Sequence, residues 1–352
     1  MTDEQPKVSK TVALVVVLVS TFVMLGIAEV AVRLQGLAPE LGRISVDHFQ
    51  WSPNPELGYE PVPRAARATA SSDRFKPTWR INRLGFRDRD HALAPEPGVF
   101  RIVVIGDSIA EGLGVDDDSA IFPALLEKRM AEAGHEIEVV NLAVRGYNTQ
   151  QEVAMLVERG LAFQPDLVLL QYCANDVTQM DGGLIQRLRE VEENGEVADE
   201  TLMNPLLTWS AVYRLLFLGL IRDDMQNEHD QELKHLTENT VGSSFARLAE
   251  ISREQGFPVF VVVFPRLEKR PVSRKYQGIY RLVVYQSRVD ASKVQEYSAN
   301  HGFMHLNLAL AMERCRDNGE SLAVDTLHPN ERGHACAADA ITQFLLRQEI
   351  PN

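Results

Sequence analysis

The stretch Arg101-Ile-Val-Val-Ile-Gly-Asp-Ser108 decides the fold of this chain. Its β-branched run ends in a small-residue turn, the pattern of a buried parallel strand that leads into a loop. Open α/β sheets bind their ligands at the carboxyl ends of such strands. A serine hydroxyl at position 108 therefore stands where a nucleophile can reach a bound substrate.

Strand and helix patterns alternate after residue 100, which predicts a parallel sheet with right-handed crossovers and helices on both faces. Predicted strands cover 101–105, 136–141, 167–171, 259–264 and 303–306, and predicted helices cover 121–133, 149–160, 244–255, 282–300 and 333–347.

A long insertion at about 177–243 interrupts this alternation. Its apolar part, 206–221, carries Trp209, Tyr213 and Phe217 at four-residue spacing, which places three aromatic rings on one helix face. The pattern predicts either an ordinary packed helix or a lid or membrane-facing helix.

The N-terminal region contains an uncharged apolar run over 11–28, preceded by Lys7 and Lys10. Eighteen helical residues span about 27 Å, close to the thickness of the bilayer hydrocarbon core. The preceding lysines favour a cytoplasmic N-terminus. We expect a cytoplasmic tail over 1–10, a transmembrane anchor over 11–34 and a main domain on the periplasmic or cell-surface side.

Two further features concern the regions beside this run. Gly26-Ile-Ala28 suits a small-residue cleavage site, so a cleaved signal peptide is the alternative to a retained anchor. Residues 35–100 are rich in proline turn signals such as Ser52-Pro-Asn-Pro55. They predict an irregular extension that packs on the main domain, which we place at 101–350.

Composition excludes several classes of function. The 352 residues carry a net charge of −13, which argues against a nucleic-acid partner because phosphate contacts need clustered Lys and Arg. The acidic run Asp116-Asp-Asp118 predicts a solvated loop, and we expect no metal and no cofactor. Besides Cys173, the chain has Cys315 and Cys336, which could pair in an oxidising compartment. Of the two alternatives we favour buried free thiols.

Four segments with reactive or hydrogen-bonding residues fall at predicted strand ends or before the last helix. Ser108 follows the first strand, Gly146 the second and Asn175 the third, while Asp325 and His328 precede the last helix. Serine acyl chemistry needs a nucleophile, a base, a group that orients the base, and donors for an oxyanion. We assign these roles to Ser108, to His328, to Asp325, and to the Ser108 and Gly146 backbones with the Asn175 amide.

This arrangement resembles the SGNH (GDSL-type) hydrolase superfamily over about 101–347. Ser108, Gly146, Asn175 and His328 match the four residues that name that family, and Asp325 matches its Asp-x-x-His block. The resemblance implies a flavodoxin-like three-layer α/β/α sandwich with a central parallel sheet. Cys173 departs from the family pattern, since glycine usually stands there.

The expected function is that of a membrane-anchored serine esterase. It would cleave O-acyl, above all O-acetyl, esters of an acylated small molecule or of envelope polysaccharide. The alternatives are an O-acyltransferase with the same triad, a lipase or thioesterase, and a non-catalytic carbohydrate-binding subunit. An α/β-hydrolase fold is disfavoured because Gly106-Asp-Ser-Ile-Ala110 lacks the Gly-x-Ser-x-Gly elbow.

Overall fold

The protein is described by a computed structural model. Its contacts divide the chain into two units, Met1–Arg43 with Asn194–Glu232, and Ile44–Glu193 with Leu233–Asn352. The residues that the structure describes are 9–35, 37, 49–63, 79–173, 176, 206, 209–213, 215–216, 240–267, 291–316, 321–324 and 327–351.

The larger unit is built on a five-stranded parallel sheet, as the sequence predicts. A small antiparallel hairpin, β1 and β2, precedes the sheet strands, and the sheet order is β4-β3-β5-β6-β7. With β3 as the first sheet strand this is the flavodoxin-like order. The strands are β1 Phe49–Trp51, β2 Tyr59–Pro61, β3 Phe100–Ile105, β4 Ile137–Asn141, β5 Leu167–Tyr172, β6 Val259–Val263 and β7 Met304–Asn307.

Helices cover both faces of the sheet. Ile102 and Val104 of β3 join one hydrophobic cluster with side chains of the third and last helices, whereas Val103 alternates to the opposite face. The fold is therefore a three-layer α/β/α sandwich. The helices are α1 Lys10–Gln35, α2 Ser108–Glu111, α3 Phe122–Glu132, α4 Thr149–Met155, α5 Gly242–Gln255, α6 291–301, α7 Ala309–Cys315 and α8 Glu331–Arg347.

Two helix predictions need correction. The helix expected over 149–160 is α-helical only to Met155, and then continues as a π-turn, Leu156–Gly160, and a 3₁₀ turn, Leu161–Phe163. The helix α7 follows β7 without having been predicted, because its seven residues are too few for a clear periodicity. Of the helix predicted over 282–300, residues 282–290 lie outside the described part of the chain.

The prediction of free thiols is wrong for two of the three cysteines. Cys315 and Cys336 form a disulfide with a Cα–Cα distance of 6.4 Å, whereas Cys173 is a buried free cysteine. The pairing arises because α7 packs against α8, a long-range contact that residue spacing does not reveal.

The described parts of the N-terminal extension bond directly to the sheet domain. The Tyr59 hydroxyl donates to the Arg145 carbonyl at 2.8 Å, and the Trp79 indole N–H donates to the Val115 carbonyl at 3.0 Å. Tyr59, Trp79 and Phe86 are all buried. These aromatic side chains thus add to the core of the larger unit.

The smaller unit contains α1, whose 26 residues include a window of mean hydropathy 2.6 with no buried residue. By length and composition this helix can cross a membrane, a property that a signal sequence shares. The predicted cytoplasmic tail lies, except for its last two residues, outside the described part of the chain.

Candidate active site

The turn after β3 presents Ser108 at the carboxyl edge of the sheet. Asp107 caps α2 by accepting the Ile109 N–H at 2.9 Å, so Ser108 is the first residue of that short helix. The side-chain oxygen of Gln171 on β5 accepts the N–H groups of Asp107 and Ala110, each at 3.1 Å. A Cβ at Gly106 would lie 2.7 Å from that oxygen, which explains the glycine.

Ser108 and His328 meet in the folded chain. Ser108 Oγ lies 2.8 Å from His328 Nε2, although 220 positions separate the two residues. Ser108 is 8% exposed, so the hydroxyl lies in a nearly dry site that is still open to a reactant. This is the nucleophile–base hydrogen bond that serine acyl chemistry requires.

The loop that carries His328 is closed on itself before α8 begins. The N–H of Val324 donates to the His328 carbonyl at 2.9 Å, and Ala323 forms a β-bridge with Pro329. Asn330 then caps α8 by accepting the Gly333 N–H at 3.0 Å. The predicted orienting residue Asp325 stands within this loop in sequence but lies outside the described residues.

The loop after β4 is tied to the nucleophile turn. The Val144 N–H donates to the Gly106 carbonyl at 3.0 Å, and the Asn141 amide donates to the Ala110 carbonyl at 2.9 Å. Gly146 in this loop has a φ of 79°, a left-handed conformation that glycine adopts without strain. The predicted donor Asn175 lies outside the described residues.

A buried carboxyl pair lies behind the nucleophile turn. Asp176 is fully buried and accepts hydrogen bonds from the Cys173 N–H and from Thr149 Oγ1, the latter at 2.8 Å. Glu152 on α4 is 1% exposed, and its carboxyl interacts electrostatically with that of Asp176. Burial, together with the charges of Asp176 and Asp107, raises the pKa of Glu152 well above its ordinary value. Burial and the charge of Asp107 also raise the pKa of Asp176, so both carboxyls are shifted towards their neutral forms.

Ligand atoms of Asp107, Cys173 and Asp176 lie within 4.8 Å of one another, a spacing compatible with a metal ion. Each already has a hydrogen-bond partner in the protein. The Cys173 thiol donates to Asp107 Oδ2 at 3.1 Å, the other Asp107 oxygen caps α2, and both Asp176 oxygens accept donors. The donor set therefore fits a hydrogen-bonded support for two loops better than a metal centre.

Arg87 of the extension holds the turn that follows α2. Its guanidinium donates to the carbonyls of Gly112 at 2.7 Å and Val115 at 2.9 Å, and pairs with Asp118 at 2.7 Å. The same group lies 4.0 Å from the centre of the Trp79 ring. Asp118 is thus a partner of Arg87 rather than part of a wholly solvated loop.

His334 is a structural histidine. Its Nδ1 accepts the Phe122 N–H at 3.1 Å at the start of α3, and its ring stacks on that of Phe122. Burial, with smaller contributions from Arg87 and His328, lowers the pKa of His334 to about 3. The ring is therefore neutral at physiological pH, which suits its role as a hydrogen-bond acceptor at the start of α3.

Sequence patterns did not identify Gln171, Glu152 or Arg87. Gln171 could have been found as a lone polar side chain inside an otherwise apolar strand. Glu152 and Arg87 gave no signal, because their importance lies in contacts with residues 24 or more positions away.

Comparison with known proteins identifies the family of the chain. The model of the GDSL-like lipase/acylhydrolase family matches residues 104–336, and the chain belongs to that family. This membership places the chain among the ester hydrolases and confirms its resemblance to the SGNH (GDSL-type) hydrolase family.

Individual relatives are distant. An esterase, TesA of Pseudomonas aeruginosa, is 35% identical over 84 residues, which span 24% of this chain and 41% of that protein. A crystal structure of TesA is 17% identical and covers 70% of this chain and 97% of its own, with a TM-score of 0.39. A lipase/acylhydrolase from Enterococcus faecalis is 17% identical and covers 72% and 99%, with a TM-score of 0.42.

Proposed function

We propose that this protein is a serine esterase that cleaves O-acyl, above all O-acetyl, esters of cell-envelope carbohydrate through an acyl-enzyme. The observation that carries the proposal is the 2.8 Å contact between Ser108 Oγ and His328 Nε2 at the carboxyl edge of the sheet. A hydroxyl paired with an imidazole in a nearly dry site is an activated nucleophile.

In the proposed reaction Ser108 Oγ attacks the ester carbonyl while its proton passes to His328 Nε2. The tetrahedral oxyanion is held by the N–H groups of Ser108 and Gly146 and by the amide of Asn175. Collapse of this intermediate expels the alcohol, which takes the proton from His328. The acyl group is now bonded to Ser108 Oγ. A water molecule attacks its carbonyl while His328 takes the water proton, and collapse returns that proton to Ser108 Oγ and releases the carboxylic acid. Asp325 orients the imidazole through Nδ1, its remaining ring nitrogen.

The proposed location outside the cytoplasm supports the choice of substrate. The apolar helix α1 would anchor the chain through residues 11–34, with Lys7 and Lys10 on the cytoplasmic side. The Cys315–Cys336 disulfide fits an oxidising compartment such as the periplasm. O-acetylated carbohydrate is an ester substrate that such an enzyme would meet there.

The first test is labelling of the full-length protein, purified in detergent, with a fluorophosphonate probe. Wild type should be labelled, and Ser108→Ala, His328→Ala and Asp325→Asn should lose most or all labelling. Ser119→Ala is the matched control, because Ser119 is exposed and bonded only to Asp117 among the contacts described. Unlabelled but folded wild type would overturn the proposal and favour a carbohydrate-binding subunit.

The second test concerns the acyl group and its acceptor. Acetate release should exceed release of longer acyl chains from p-nitrophenyl esters, and O-acetylated polysaccharide should be deacetylated. Transfer of the acetyl group to an added sugar in preference to water would show that the protein is an O-acyltransferase rather than an esterase. Rates that rise with chain length would indicate a lipase or thioesterase.

A further inference from the structure

A carboxylate at the far end of α1 binds a turn of the insertion. Glu29 accepts the N–H groups of Ala211 at 2.7 Å and Val212 at 3.0 Å, and the Ser210 hydroxyl at 2.9 Å. These partners lie more than 180 positions along the chain. A carboxylate at the first N–H groups of a helical turn is a favourable arrangement, since those groups have no partner within the helix.

Arg33, one helical turn further along α1, completes the contact. Its Nε donates to Glu29 Oε1 at 2.7 Å, and its Nη2 donates to the Trp209 carbonyl at 2.6 Å. Glu29 and Arg33 together therefore engage both sides of the turn at 209–212. The contact is directional, because a cation meets the carbonyl and an anion meets the N–H groups.

The pattern of exposed and half-buried residues along α1 is consistent with a segment docked on one face of the helix. Ala28, Glu29 and Val32 are half-buried, whereas every other described residue of α1 is exposed. These three positions lie on one helical face. Ala211, in the docked turn, is 1% exposed.

Large apolar side chains flank the docked turn and remain uncovered. Trp209 is 77% exposed, Leu206 is 56% exposed and Leu216 is 58% exposed. Glu29 follows residues 11–28, which span about 27 Å as a helix, so it stands at the level where a spanning helix leaves the hydrocarbon core. Tryptophan is enriched at that level of the membrane.

We propose that the turn at 209–212 docks on the exit end of α1 through Glu29, and that Trp209, Leu206 and Leu216 beside it contact the lipid headgroup region. This proposal rests on the anchoring by α1 proposed above. It makes the anchor a structural partner of the insertion. It also favours retention of α1, since cleavage after Ala28 would leave Glu29 as the N-terminal residue, without the preceding helical turns that hold it in place.

The test uses the full-length protein in phospholipid vesicles with bromine atoms on the acyl chains close to the headgroups. Bromine quenches tryptophan emission at short range, and the Trp209 contribution is the part lost in Trp209→Phe. That contribution should be strongly quenched in wild type. It should lose most of its quenching in Glu29→Ala and Arg33→Ala, while Glu132→Ala, an exposed carboxylate on α3, should match wild type.

Flotation of the same vesicles distinguishes a failure of the membrane anchoring by α1 from a failure of the docking through Glu29. A chain that does not float with the vesicles overturns both the anchoring and the docking. A chain that floats but shows no quenching of Trp209, or quenching unchanged in Glu29→Ala, overturns the docking alone. Fluorophosphonate labelling of each variant reports separately on the esterase site and on folding.

Discussion

Ser108 Oγ and His328 Nε2 lie 2.8 Å apart, and the loop that carries His328 is closed by a β-bridge before α8 begins. The two side chains form one hydrogen-bonded unit although they lie near opposite ends of the sequence of the sheet domain. When two residues act as a unit in catalysis, replacing both lowers activity about as much as replacing one, so the losses are not additive.

We therefore predict that Ser108→Ala and His328→Ala each lower kcat/KM for p-nitrophenyl acetate by about 10³- to 10⁶-fold. The double variant should be no worse than the weaker single variant, because either change alone disables the unit. His135→Ala is the control and should retain activity. Losses that multiply in the double variant would show that the two residues act independently.

Arg87 should affect activity through the position of α2. Arg87→Ala should lower the free energy of unfolding by about 3 kcal/mol, because several charge-assisted hydrogen bonds are lost. A small shift of Ser108 should lower kcat by about 10- to 100-fold. Arg87→Lys should rescue little, since an ammonium cannot reproduce the planar fork that reaches both Gly112 and Val115.

Urea unfolding and steady-state kinetics measure the two effects of Arg87. Arg129→Ala is the structural control, because Arg129 bonds Asp339 and the Ala335 carbonyl on α8. It should lower stability without lowering kcat. Unchanged kcat in folded Arg87→Ala would contradict the positioning role.

Glu152 should make stability depend on pH. The pKa of Glu152 is raised in the folded protein from its ordinary value of 4.5. At a pH between the two values, the folded state therefore keeps a proton that the unfolded state has released. The stability contributed by neutral Glu152 is complete below pH 4.5 and declines by about 1.4 kcal/mol per pH unit as pH rises towards the folded pKa. Glu152→Gln keeps the size and polarity of this side chain but does not titrate.

The unfolding free energy of Glu152→Gln should therefore increase relative to that of wild type as pH rises from 5 to 9. Glu254→Gln, an exposed change on α5, should follow the wild-type curve. Parallel curves for wild type and Glu152→Gln would contradict a raised pKa of Glu152 in the folded protein.

The disulfide should stabilise the closing helices. Reduction of Cys315–Cys336, which closes a loop of 21 positions, should cost about 3 kcal/mol of unfolding free energy. The double variant Cys315→Ser with Cys336→Ser should show the same loss and no further response to reductant. One thiol, that of buried Cys173, should become reactive in the oxidised protein only on unfolding. Insensitivity of wild type to reductant would contradict the bond.

Much of the fold could be predicted because its signals are local. Each sheet strand is a short apolar run between turn residues, and the order of strands and helices limits the sheet to few topologies. Errors arose where local signals are weak. The break in α4 at Met155 and the short helix α7 depend on packing that neither propensity nor periodicity records.

The sequence by itself determined the succession of strands and helices along the chain and the family, and it marked Ser108 and His328 by their neighbours. Only the tertiary structure brought these two side chains to 2.8 Å, paired Cys315 with Cys336, and set Arg87 behind α2. Only the structure also joined Glu29 to the turn at 209–212. The physical reason is range: backbone preference and hydrophobic periodicity act over a few residues, whereas these contacts exist only once the layers have packed and distant loops have closed.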